Sequence, residues 1–167
     1  MIRTIGVDPG SRYTGYGIVE GDGFVLKYIH HGTLKLPAAK PLFERLIIIF
    51  EQLKASITEF GPEFMAVEEV FFAKNVKSAL SLGQARGAVI LAGVSSGLSI
   101  HEYSALSIKQ SVAGYGRAAK EQVTGMVQRL LGIEGCVEPN AADALAVAVC
   151  HISTYSSNIR WKLPHGS

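Results

Sequence analysis

The chain has 167 residues, 48% of them hydrophobic, with a formal net charge of +2 and a pI near 8.6. That length makes one domain, the apolar content excludes a disordered chain, and no apolar run approaches the roughly 20 residues a membrane span needs. The charge is too small to assign a nucleic-acid partner by itself.

The first stretch, Ile2 to Val7, is nearly continuously apolar and reads as a central strand buried on both faces. It ends in a carboxylate, Asp8, and Pro9-Gly10 reverses the chain. A carboxylate there stands at the rim of a sheet, where ligands bind in α/β folds. The alternative is a side chain that caps its own turn. Thr14 to Glu20 is a second strand and Phe24 to Leu36 contains a third, so the chain opens as an antiparallel meander. Met1-Ile2-Arg3 leads straight into the first strand, which fits the absence of a signal peptide. Cys136 and Cys150 lack metal-type spacing and read as reduced thiols of a cytoplasmic protein.

Leu42 to Phe60 carries apolar residues at helical spacing, and Gly61-Pro62 stops it. Phe64 to Glu68 is a short strand that again ends in acid. A helix between two strands implies a right-handed crossover, so this strand runs parallel to the first and brings its end to the Asp8 rim. Side chains alternate along a strand, so only one of Glu68 and Glu69 faces Asp8. The loop Val70 to Asn75 sets Phe71 and Phe72 beside Lys74, a pairing able to stack on bases.

Val76 to Ser96 is a helix rich in small residues. Each mid-helix glycine costs about 1 kcal/mol against alanine, which close approach to a sheet or a second subunit would offset. Leu98 to Tyr103 is a strand, Ser104 to Val112 a short helix bearing Lys109, and Ala118 to Leu131 a helix with Lys120 in its first turn. A cation at that end opposes the helix dipole and makes more sense beside an anion. Ala141 to about Tyr155 is the last helix, and residues 156–167 read as a frayed tail. Asn140 and Asp143, three apart, share one face of its first turn, either as a cap and a first-turn acid or as site residues.

Asp8, Glu68 and Asp143 would repel one another if they met without a cation. Magnesium takes carboxylate oxygens and is completed by substrate phosphate, and rim lysines would hold the polyanion.

The stretches VDPGSRYTGYG (7–17), AVEEVFFAKN (66–75), ALSLGQARG (79–87) and AADALAVA (141–148) resemble the RuvC Holliday-junction resolvase family, in the family's order and over roughly residues 1–155. The resemblance implies an α/β fold of the ribonuclease-H-like kind, with three antiparallel strands, then two parallel ones, flanked by helices. It implies a homodimer that nicks four-way DNA junctions in pairs, with magnesium as cofactor and manganese as a substitute. Partnership with the RuvA and RuvB branch-migration proteins and a preference for T-rich sites follow from it too. The family's acids fall on Asp8, Glu68 and Asp143, with a further carboxylate expected at position 140. Its stacking aromatic falls on Phe71, and its DNA-binding lysines on Lys109 and Lys120; Phe72, Lys74 and Arg117 join them as candidate DNA contacts.

Position 140 is instead Asn. An amide offers a carbonyl oxygen to a metal but no charge and no base, so weakened magnesium binding and reduced cleavage are expected. Three rivals remain: a junction binder without catalysis, an actin- or hexokinase-like ATPase, and a nuclease of the same fold acting on RNA. The ATPase would need a second glycine-rich phosphate loop, which the sequence lacks.

Overall fold

The computed structural model describes residues 1–69 and 75–162, with side chains through residue 158. Its elements are β1 (Ile2–Asp8), β2 (Tyr13–Gly21), β3 (Leu26–Lys35), α1 (Leu42–Phe60), β4 (Phe64–Glu68), α2 (Val76–Ser95), β5 (Ser99–Tyr103), α3 (Ala105–Ala113), α4 (Lys120–Leu131) and α5 (Pro139–Lys162). They form one five-stranded sheet in the order β3-β2-β1-β4-β5. β1, β2 and β3 pair antiparallel, whereas β4 lies parallel to β1 and β5 parallel to β4. This is the mixed sheet expected from the sequence.

Strand alternation sorts the core into two layers. Ile5, Val7, Ile18, Met65 and Val67 face α1 and α2 and pack against Ile49, Leu53, Val89 and Ala92. Val19 and Ala66 face the other way, onto α3, α4 and α5. Each aliphatic side chain so buried contributes roughly 1.5–3 kcal/mol of transfer free energy.

The α5 layer seats unusually close to the sheet because the strand residues beneath it lack side chains. A Cβ at Gly6 would overlap the carbonyl oxygen of Ala144, and one at Gly15 the carbonyl oxygen of Asn140. At Gly17 it would lie 2.6 Å from the Leu145 side chain. Gly15 is the register partner of Asp8, so this contact sets the height of the first turn of α5 above the end of β1.

One expectation needs correcting. The last helix does not end near Tyr155: it continues to Lys162. Tyr155 packs on Phe64 of β4 with ring centroids 5.0 Å apart, and the Ser157 hydroxyl donates to the Ser153 carbonyl. Both hold the helix past the point where its apolar periodicity fades, so the expected tail is helical through residue 162. In α2, only Gly93 is packed onto the sheet, against Met65 and Ile100; a side chain at Gly83 or Gly87 would meet open space.

A Gly15→Ala substitution forces α5 away from the sheet. Overpacking of this kind costs typically 1–3 kcal/mol, so the midpoint of urea unfolding is expected to fall accordingly, whereas Gly83→Ala should leave it unchanged or raise it.

Candidate active site

The rim at the ends of β1 and β4 is assembled by register. Thr33, Gly15 and Asp8 lie in one row across β3, β2 and β1. Val7 pairs with Val67, which sets Glu68 of β4 beside Asp8, and Glu68 pairs with Tyr103 of β5. Gly6 faces α5, so alternation aims Asp8 at α5 as well. Ala66 belongs to the α5-side core, which aims Glu68 the same way. Glu68 is therefore the acid that shares the face of Asp8. The backbone N–H of Glu69 donates to the Tyr103 carbonyl at 2.8 Å and continues the pairing of β4 with β5.

Asp143 completes the group from the first turns of α5. A cavity of about 300 Å³ opens beside it, lined among others by Glu68, Lys109, Lys120 and Asp143. The Lys120 ammonium donates to Asp143 Oδ2 at 2.6 Å. This explains the cation at the start of α4: it pairs with an acid of the rim while its side chain stays 58% exposed.

The acids act on one another's charge. Burial, then the charges of Asp143 and Glu68, raise the Asp8 carboxyl to about 7, with Lys120 opposing them. Burial and Asp143 raise Glu68, while Lys120 and Lys109 pull it back. Contact with Asp143 raises the Lys120 ammonium against the effect of its own burial.

Among the described residues no three His, Cys, Asp or Glu side chains form a ready-made metal cage. The donor set nonetheless fits a hard divalent cation. It is made of carboxylate oxygens from separate elements, and their mutual repulsion is what a dication relieves.

The other expected site residues divide. Lys109 lines the acid cavity with Lys120. Arg117 is exposed on the connection from α3 to α4, outside that lining. Phe71, Phe72 and Lys74 lie outside the described residues. Asn140 lines the next cavity along the rim, with Tyr13, Thr33, Lys35, Glu138 and Pro139. Those neighbours, at the strand and helix ends that meet here, carry no sequence signal of their own, and the sequence reading missed them. It also left Glu102 and His101 without a role. Glu102 pairs with Arg86 of α2. His101 lies against His151, a buried imidazole whose Nδ1 is 2.8 Å from the Tyr103 hydroxyl and whose pKa burial lowers to about 4.

The acid cluster has a measurable cost to the metal-free fold. The Asp8 carboxyl sits near 7 in the folded chain against 3.8 for a free aspartate, so the folded state holds that proton more tightly. The resulting stability is complete below the lower value and is lost as pH rises through the upper one. Asp8→Asn removes this loss. In EDTA at about pH 8 the variant should be more stable by on the order of 2–4 kcal/mol, with the gap closing toward pH 4, as read by urea unfolding.

Comparison with known proteins fits this geometry. The family model described as crossover junction endodeoxyribonuclease RuvC matches residues 4–151. The RuvC of Trichlorobacter lovleyi is 48% identical over 159 residues, covering 95% of this chain and 89% of the relative. That of Geobacter sulfurreducens is 50% identical over 153 residues, covering 92% and 93%. Among solved structures, T. thermophilus RuvC in complex with a Holliday junction substrate superposes with a TM-score of 0.90 at 34% identity, covering 95% of this chain and 97% of that one. The yeast mitochondrial Holliday junction resolvase, 11% identical with a TM-score of 0.68 over 95% of this chain and 80% of that one, shares the fold. With its family model spanning nearly the whole chain and relatives near one-half identity, this chain belongs to the RuvC family of crossover junction endodeoxyribonucleases.

Proposed function

We propose that the chain resolves four-way DNA junctions as a magnesium-dependent endonuclease, cutting two symmetry-related strands. The observation that carries this reading is the convergence of Asp8, Glu68 and Asp143 on one rim, beside Lys109 and Lys120. Asp8, Glu68 and Asp143 would hold the metal, with the Asn140 carbonyl oxygen as a neutral addition. Magnesium bound there supplies an activated water and stabilises the leaving oxygen of a phosphodiester. Lys120, which donates to Asp143, would hold the strand's phosphate, and Lys109 would hold the same strand from α3. Manganese can take the same oxygen ligands.

Asn140 brings no charge to this set and cannot act as a base. It lowers magnesium affinity and slows nicking without disturbing the fold, since its backbone is what seats α5 on Gly15. Paired nicks need two sites related by symmetry. The exposed α2 surface suits a two-fold partner: Val76, Leu80, Leu91 and Val94 are all more than half exposed, and Gly83 and Gly87 lie between them with open space above. The family's RuvA and RuvB would deliver the junction to this dimer. No helix among the described residues is long and apolar enough to cross a membrane; a DNA-junction substrate would put the work in the cytoplasm.

Asn140→Asp is expected to raise nicking of a synthetic four-way junction in magnesium by about tenfold or more, the scale on which partners of a metal site act. No rise removes position 140 from the metal site. Glu68→Gln should abolish nicking while junction binding in a gel-shift assay persists. Leu80→Glu should convert a sedimenting dimer to a monomer at micromolar concentration; a wild-type monomer there would refute the symmetric arrangement.

A further inference from the structure

Two strands away from Asp8, on the same rim and the same face of the sheet, a second cavity of about 290 Å³ is lined by Tyr13, Thr33, Lys35, Glu138, Pro139 and Asn140. β2 begins at Tyr13 and β3 ends at Lys35, and the two are register partners. Both therefore stand over the α5 side of the sheet, in line with Gly15 and Asp8. With strands roughly 4.8 Å apart, the row from Thr33 to Asp8 spans roughly 10 Å. Lys109 and Lys120 flank the acids on one side, and this cavity flanks them on the other.

Its chemistry suits one nucleotide. Tyr13 is 51% exposed, so its ring face is open to a stacking partner. Lys35 is paired with Glu138 at 2.9 Å, but both side chains are more than half exposed, at 67% and 52%. An exposed pair of this kind is weak and readily exchanged. The Thr33 hydroxyl is near enough to Glu138 to help hold its carboxyl below the usual range. It makes no hydrogen bond of good geometry, so its oxygen is buried without a partner. The cavity thus offers a ring face and an exchangeable ammonium.

We propose that this cavity holds the nucleotide adjacent to the cut phosphate, its base on the Tyr13 ring and its phosphate on Lys35, with Glu138 acting as a built-in competitor that the phosphate displaces. The inference rests on the proposed junction-cutting function and adds to it a seat for the neighbouring nucleotide. Glu138 carries a charge of the same sign as the backbone it is exchanged for. Its presence keeps Lys35 neutralised until DNA arrives.

The test is binding of a fluorescent four-way junction by the full chain in magnesium-free buffer over a range of salt, with nicking in magnesium read in parallel. Lys35→Ala should weaken binding severalfold and reduce the slope of log affinity against log salt by about 0.7–0.9, the value for one phosphate contact. Glu138→Gln should do the reverse and tighten binding at least about twofold by freeing Lys35. Tyr13→Ala should weaken binding by about fivefold or more, the loss of one stacked base, and Tyr13→Phe should restore it. If Lys35→Ala and Glu138→Gln both weaken binding, the pair is a structural link and the inference fails. If neither changes affinity or slope, it fails as well. Wild-type protein that does not prefer a junction to linear duplex would instead overturn the junction-cutting function, a result distinct from either.

Discussion

The close seating of α5 on β1 and β2 is the constraint from which the site follows. A helix normally rides on the side chains of the sheet beneath it. Here Gly6, Gly15 and Gly17 remove those side chains along the track of α5, and the helix settles onto backbone. Asp143 is thereby brought into the field of Asp8 and Glu68. The glycines contribute no chemistry and occupy no cavity, yet they determine whether the third acid reaches the other two.

That arrangement stores repulsion. Three partly buried carboxylates face one another, and the protein tempers them with Lys120 and, more weakly, Lys109. A core free to optimise its stability would separate such groups or replace them with apolar ones. Their meeting at a rim that also carries Lys109 and Lys120 costs the metal-free fold local stability. The same rim extends past Asn140 to Tyr13 and Lys35, so the acids sit in the middle of a polar surface and not at its edge.

Much of this was legible in the chain. Each of the two acid-ending strands could be read from its apolar run, and the helix between them implied a parallel crossover that placed both ends on one rim. Alternation said that only one of Glu68 and Glu69 would face Asp8; the register of β4 on β1 supplied which. What escaped was set by contacts between distant segments. Asn140 turned out to border a second cavity because its backbone rests on Gly15, which no spacing reveals. Lys35 and Glu138 meet across more than a hundred residues of chain. The end of α5 was misplaced because Tyr155 is held by Phe64, a ring on a strand far upstream. The glycines of α2 looked alike in sequence, but only Gly93 meets the sheet.

The three acids come from the first strand, the fourth strand and the last helix. A ribosome releasing this chain from its amino end emits Asp8 early and Asp143 near the finish. Until α5 emerges and settles, Asp8 and Glu68 stand without their third member, and the layer that would bury that face of the sheet is missing. Prematurely terminated translation products therefore lack both Asp143 and the helix that covers that face of the sheet.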